Sequence, residues 1–160
     1  LDFSPFTIGS QGSTVMLLPE AKITSFGSDI FVGAAGISKE ICALTGSFNC
    51  QADMEIDFTS AVNNLSFVTS GYQSGDSVNV EVYDSGGLIG SVVVASNGLV
   101  DLTAFANVDR IFMDDSSRAA GMAYDGFRFD VASVPEPVTF GLLGLGLAGL
   151  AASRRRNRAV

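Results

Sequence analysis

Apolar and polar residues alternate most cleanly in the middle of the chain. Met54, Ile56 and Phe58 take turns with Glu55, Asp57 and Thr59, which is the period of a strand with one face buried. Leu65 and Phe67 follow in a second strand. Val78, Val80 and Val82 alternate with Asn79, Glu81 and Tyr83, and Asp84-Ser85-Gly86-Gly87 then turns the chain into Leu88–Val94. Ser77–Val94 therefore predicts a hairpin. Asn97-Gly98 marks another turn, and short strands are expected over Leu99–Leu102 and Val108–Met113. Tyr124–Val131 closes the run, with Phe127, Phe129 and Val131 expected inside and Arg128 and Asp130 outside. Nearer the start, Thr14–Leu18, Ile23–Phe26 and Ile30–Val32 are further strand candidates, punctuated by Pro19 and by Gly27-Ser28-Asp29. Gly33–Leu44 is ambiguous: Ile37, Ile41 and Leu44 have helical spacing, so a short helix or turn is expected to lead into Cys42.

Short strands with turn chemistry between them, and no alternation of strand with helix, predict an all-β fold: an antiparallel β-sandwich over residues 1–133. From Val138 to Ala152 the alternation stops. These 15 residues carry no charge and are almost wholly Val, Phe, Leu, Gly and Ala. Pro135 and Pro137 precede them, and proline lets a helix begin just after it but hardly before. Arg154, Arg155, Arg156 and Arg158 follow. An apolar segment with this entrance and exit reads as a single C-terminal transmembrane helix over 138–153, its basic end held in the cytoplasm. A span needs about 17 to 20 apolar residues. Ser153 and the aliphatic stems of the arginines extend the segment by snorkelling. The alternative is a buried core helix. It would have to place four arginines at the mouth of a core and tolerate Gly141, Gly144, Gly146 and Gly149, each worth about 1 kcal/mol against Ala in a soluble helix. In a membrane, Gly144 and Ala148 form a small-xxx-small pair that suits close helix approach.

Val134-Pro135-Glu136-Pro137, the Gly/Leu/Ala-rich span and the terminal arginine cluster, in that order, resemble the PEP-CTERM sorting signal of Gram-negative bacteria. Residues 134–158 carry the resemblance: 134–137 the motif, 138–153 the helix, 154–158 the basic cluster. The same segment is also labelled an ice-binding protein C-terminal domain, a label that says nothing about ice. The resemblance implies recognition by an exosortase, a membrane-embedded cysteine transpeptidase-like enzyme, and cleavage near Pro135, Glu136 and Pro137. It implies an exported N-terminal domain anchored first at the inner membrane, then delivered to the cell surface or extracellular matrix and its exopolysaccharide, as in a biofilm. C-terminal signals whose apolar part is later removed work by the same logic. The body, from Met54 to Val131, also resembles the galactose-binding-like jelly rolls. That likeness rests on Ile56-Asp57-Phe58, the Val82-Tyr83-Asp84 hairpin, the Asp101 strand and Tyr124-Asp125-Gly126-Phe127-Arg128-Phe129. It implies a jelly-roll-like sandwich and little about function.

Charge narrows the partners. Five of nine basic residues and sixteen of seventeen acidic ones lie in the body, a net charge of −11 there. That disfavours nucleic acid and anionic lipid, both of which call for a basic patch. Acidity as a means of keeping a surface protein soluble is the simplest reading. The chain opens at Leu1 with no charged-then-apolar leader, so a mature or trimmed form is expected. Cys42 and Cys50 are the only cysteines, and in an exported chain they are expected to form a disulfide; two buried free thiols are the alternative.

Chemistry is sparse. No histidine is present, so neither a Ser-His-Asp nor a Cys-His arrangement can be assembled, and a Cys/His zinc site is excluded. No phosphate-cradling glycine loop occurs. The expectation is a non-catalytic protein without a resident cofactor. Asp114, Asp115 and Asp125, beside Ser116 and Ser117, are candidates for calcium, against a solvated acidic loop. Tyr72 and Tyr83 are the candidates for stacking on a sugar, which would make the body a carbohydrate-binding module; otherwise each is a partly buried surface tyrosine.

Overall fold

The computed structural model describes residues 1–35, 38–46 and 49–132. They form, in chain order, β1 (Gly9–Ser10), β2 (Val15–Leu17), β3 (Ala21–Ser25), β4 (Asp29–Ala35), β5 (Ser38–Leu44), β6 (Met54–Ser70), β7 (Val78–Asp84), β8 (Gly87–Val94), β9 (Gly98–Asp101), β10 (Val108–Asp115) and β11 (Ala123–Val131). Every pairing between these strands is antiparallel. The body is thus the all-β antiparallel sandwich that its alternation predicts.

Strand β6 organises the rest. It is 17 residues long. Its first part, Met54–Phe58, runs between β3 and β10, and its second, Val62–Ser70, between β11 and β9. Two layers grow from the two parts, β2-β3-β6-β10-β7-β8 and β1-β4-β5-β11-β6-β9. A strand that passes from one layer to the other in this way turns a corner of the sandwich. Between the layers lies one core, built from Ile23, Met54, Ile56, Val80, Ile111 and Met113 on one side and Ile30, Ile41, Leu65, Phe67 and Leu102 on the other. Burying an aliphatic or aromatic side chain of this size stabilises by about 1.5 to 3 kcal/mol.

The corner has a definite chemical origin. Met54, Ile56 and Phe58 are buried at even positions, but Leu65, Phe67 and Thr69 at odd ones. A strand alternates with period two, so the buried phase can switch only where an extra residue is inserted. Asn63-Asn64 supplies it. Asn64 is left-handed, with φ 54°, a conformation that asparagine tolerates better than most residues. Its side-chain amide donates to Asp130 Oδ2 at 2.7 Å. Asn63 Oδ1 accepts the backbone N–H of Asn107 at 2.8 Å. What reads as two strands on either side of this pair is one strand with its phase reset.

Strands β7 and β8 form the predicted hairpin, with an irregularity between Val82 and Tyr83. Two expectations are corrected. The segment leading to Cys42 is not helical: β4 and β5 pair from Asp29↔Leu44 to Ala35↔Ser38. Ile41 faces the core while Cys42 and Leu44 pack on the opposite face, so two-fold alternation governs where the 3.6 spacing was coincidental. Val131, expected inside, is 58 % exposed. The register of β11 shifts between Asp125 and Arg128, where Gly126 has φ 60°. Tyr124 and Phe127 therefore both face inward; a second register shift follows between Arg128 and Asp130, so that Phe129 packs half-buried with its ring 5.2 Å from that of Phe58 and Val131 emerges at the corner.

The membrane helix expected over 138–153 lies outside the described residues, as do Pro135, Glu136, Pro137 and the arginines of 154–158. Among the described residues no helix is long and apolar enough to cross a membrane.

Substituting Asn64 tests the corner. Asn64→Gly keeps the left-handed backbone and loses only an exposed hydrogen bond, so it should destabilise by less than about 1 kcal/mol. Asn64→Val adds left-handed strain on a β-branched residue and should destabilise by about 2 kcal/mol or more. Urea unfolding of the two variants measures the difference; equal losses would contradict the assignment.

Candidate functional site

Three regions of the described body bear the residues that the sequence singles out. The first is the pole where β6 begins and β10 ends. Cys42 of β5 is bonded to Cys50, with Cα atoms 5.3 Å apart. The bridge lies on the outer face of the second layer, among Phe31, Leu44 and Ala123. It closes a nine-residue ring, worth about 2 to 3 kcal/mol in the chain-entropy account. The Cys50 N–H donates to Ala120 O at 2.8 Å, so the loop is also sewn to the chain ahead of β11. Gly121 makes that approach feasible: it has φ 78°, and a Cβ there would lie 1.9 Å from Cys50 O.

Beside the disulfide loop sits a cluster of carboxylates. Asp76 is 2 % exposed. It accepts backbone N–H groups from Gln73 (2.9 Å), Ala119 (3.0 Å) and Gly121 (3.3 Å), which ties the β6–β7 connection to the β10–β11 connection. Asp53 Oδ1 accepts the N–H of Asp115 at 2.9 Å. Asp115 Oδ1 accepts the N–H of Ser117 at 2.7 Å, and its Oδ2 is buried without a hydrogen-bond partner. Burial raises the Asp115 carboxyl above its ordinary range, hydrogen bonds from Ser117 oppose the rise, and the charges of Asp76 and Asp53 add to it. The calcium candidates of the sequence are not brought together. Asp114 is exposed on the outward set of β10, Asp115 faces Asp53 and Asp76, and Asp125 lies on the face of β11 opposite buried Tyr124. Among the described residues no three His, Cys, Asp or Glu side chains are placed to hold a metal ion. Asp53 and Asp76 escaped the sequence reading because each stands alone in a turn ahead of a strand, and only the fold gathers them.

The second region is the outer face of the first layer. One row of cross-strand partners there runs Leu17, Lys22, Asp57, Arg110, Tyr83 and Leu88. The Arg110 guanidinium lies 4.0 Å from the centre of the Tyr83 ring and donates to Glu55 Oε2 at 3.2 Å. Lys22 and Asp57 form a looser pair at 3.8 Å. The Tyr83 hydroxyl donates to Glu81, which raises the phenol above its ordinary value. Tyr72 does not join this group. It sits beyond the other end of β7, where its N–H donates to Asn97 Oδ1 at 2.8 Å and its ring packs partly on the core. The two tyrosines therefore cannot stack on one sugar. Between β8 and β9 lies a groove of about 170 Å³ flanked by Val93 and Leu99, smaller than the about 300 Å³ at which small-molecule pockets begin.

The third region is the corner of the sandwich, where the body hands over to the tail. Asp130 and Val131 pair with Asn63 and Val62, and the Ala132 N–H donates to Ala61 O at 2.7 Å. Sheet pairing thus continues to the last described residue. The next residues, 133–156, match the PEP-CTERM protein-sorting motif. No curated protein shows a match to the chain. The motif match supports a protein sorted by an exosortase, a membrane enzyme, and exported toward the cell surface.

The carboxylate cluster gives a pH signature. A carboxyl whose folded pKa is raised binds its proton more tightly in the folded chain than in the unfolded one. Its contribution is most favourable below the ordinary 3.8 and falls as pH rises from there through the raised value. Asp115→Asn removes that decline and keeps an oxygen for the Ser117 N–H. The variant should melt above the parent at pH 7, with the gap closing toward pH 3.5. Thermal unfolding across this pH range checks it; a gap that is constant or reversed would refute the assignment.

Proposed function

We propose that this protein is a non-catalytic, exported β-sandwich of the cell surface or extracellular matrix. In this reading its tail crosses the inner membrane over 138–153, with Arg154, Arg155, Arg156 and Arg158 retained on the cytoplasmic side. An exosortase cuts near Pro135-Glu136-Pro137 and releases the body outward. The body is galactose-binding-like and jelly-roll-like in strand order, and works without a catalytic centre or a resident metal. One observation carries the reading: residues 133–156 match the sorting motif, directly after Ala132, whose N–H pairs with Ala61 O.

Intact mass spectrometry of the chain from an exosortase-bearing host tests it. The parent chain should lose its C-terminal piece, with a new C-terminus near Pro135. Replacing Pro135, Glu136 and Pro137 together by alanine should leave the tail attached and the protein in the membrane fraction. A parent chain that keeps all of its tail in such a host would refute the reading.

A second reading makes the body a carbohydrate-binding module for exopolysaccharide. The outer face of the first layer favours it, since Arg110, Glu55 and Glu81 set charged hydrogen-bonding groups around an aromatic ring. In that case Tyr83→Ala should lower retention on the host's own exopolysaccharide at least fivefold, and Tyr72→Ala should leave it unchanged. Absence of retention by the parent protein removes this reading.

A further inference from the structure

Among the described residues the two layers end in the edge strands β1, β2, β8 and β9. Three of these are short: β1 has 2 residues, β2 has 3 and β9 has 4. Strand β8 has 8 and pairs on one side only, with β7. An edge presents a row of unpaired N–H and C=O groups, and folded proteins guard long edges with lysine, other charges, proline or a bulge. One such guard is present. Gly90 stands opposite Val82 and Leu88 opposite Tyr83, so Ile89 is an extra residue that kinks the start of β8. Beyond it, residues 90–94 run in unbroken register against 78–82. No charged residue and no proline lies between Asp84 and Asp101. Val92, Val93 and Val94 are β-branched and favour an extended backbone. Leu88 and Val93 are 57 and 70 % exposed. The one long edge is thus also a neutral and apolar one.

We propose that β8 is a self-association edge, at which a second copy of this chain pairs β8 against β8, antiparallel, about a two-fold axis. Antiparallel pairing lets a strand complement itself, because both sides offer the same groups in the same alternation. An axis centred on Val92 uses all of residues 90–94 and sets the outward Ser91 of one copy opposite the outward Val93 of the other. Charge decides for a second copy. The body is strongly acidic, so two copies can approach only where their carboxylates stay apart. Nothing on β8 is charged. Glu81 and Asp84 lie one strand in, Asp109, Arg110, Asp114 and Asp115 two strands in, and Asp101 on β9 in the other layer. Across the axis the two Glu81 carboxylates stand at least three strand spacings apart, about 14 Å, beyond the about 8 Å at which physiological salt screens them. A strongly basic or acidic partner finds no complementary charge on this edge.

A pairing this short is a small interface, so covalent trapping on the full chain in cells is the test. A photo-crosslinking residue in place of the exposed Ser91 should give a covalent dimer on illumination, and peptide mass spectrometry should place the bond in β8 of the second copy. Adding Val93→Asp puts a carboxylate into the shared edge. It should lower the dimer yield about fivefold or more while the unfolding midpoint stays at the parental value, since the side chain it replaces is exposed. Val15→Asp, on the β2 edge at the other end of the layer, should leave the yield unchanged. Capture of lipid, polysaccharide, another protein or a segment of the same chain in place of a second β8 would overturn the proposal. So would a dimer yield that Val93→Asp leaves at the parental level, or that Val15→Asp lowers as far. None of these readouts depends on cleavage of the tail.

Discussion

The body depends on the requirement that one long strand serve two layers. A strand has a single buried face, and β6 must present Met54, Ile56 and Phe58 to the core from one layer and Leu65, Phe67 and Thr69 from the other. Without an inserted residue the second half would turn its apolar set outward. The left-handed Asn64 resets the phase, and the contacts of Asn63 with Asn107 and of Asn64 with Asp130 hold β10 and β11 at the same corner. Four of the pairings that build the sandwich are made by this strand: with β3, β9, β10 and β11.

The two ends of the sandwich are stabilised by different physics. At the pole where β6 begins, covalent and polar ties dominate. The Cys42–Cys50 bridge holds one loop, and Asp76 holds two connections through three backbone N–H groups. Burying Asp115 beside Asp53 and Asp76 works against folding at neutral pH, and the hydrogen bonds it accepts from Ser117 offset part of that cost. A second buried acid, Asp29, shows the opposite balance. Burial would raise its pKa, but hydrogen bonds from Ser10 and from the N–H groups of Ser13, Gly12 and Ile30 outweigh it and lower it. That carboxylate pins the N-terminal segment to β4. At the corner of β6 the ties are few and ordinary, and that is the end from which the tail departs.

Much of this was legible from period alone. The β7–β8 hairpin follows from Val78, Val80 and Val82 and the Asp84–Gly87 turn, because a short, local, alternating pattern admits few other folds. Leu65 and Phe67 were legible as strand residues too, but as a second strand where one bent strand exists. What could not be read depends on partners distant in sequence. Ile41 and Leu44 fit a helical spacing by accident and are strand residues because β4 lies beside them. The outward turn of Val131 follows a second register shift in β11, between Arg128 and Asp130, which alternation cannot foresee. The Asp53–Asp76–Asp115 group comes from two connections and the end of β10, and Tyr72 and Tyr83, close in the chain, end at opposite ends of β7.

The placement of the tail links folding to sorting. Pairing runs through Ala132, and the matched motif begins at the next residue, 133. Fraying β11 would supply slack, at the loss of the Ala132–Ala61 and Asn64–Asp130 hydrogen bonds and the Phe58–Phe129 contact. Each is worth about 0.5 to 1.5 kcal/mol, so a few residues could be freed, but only by opening the corner that fixes the phase of β6. Residues at the start of the matched segment are thus joined directly to the strand whose pairing closes the corner.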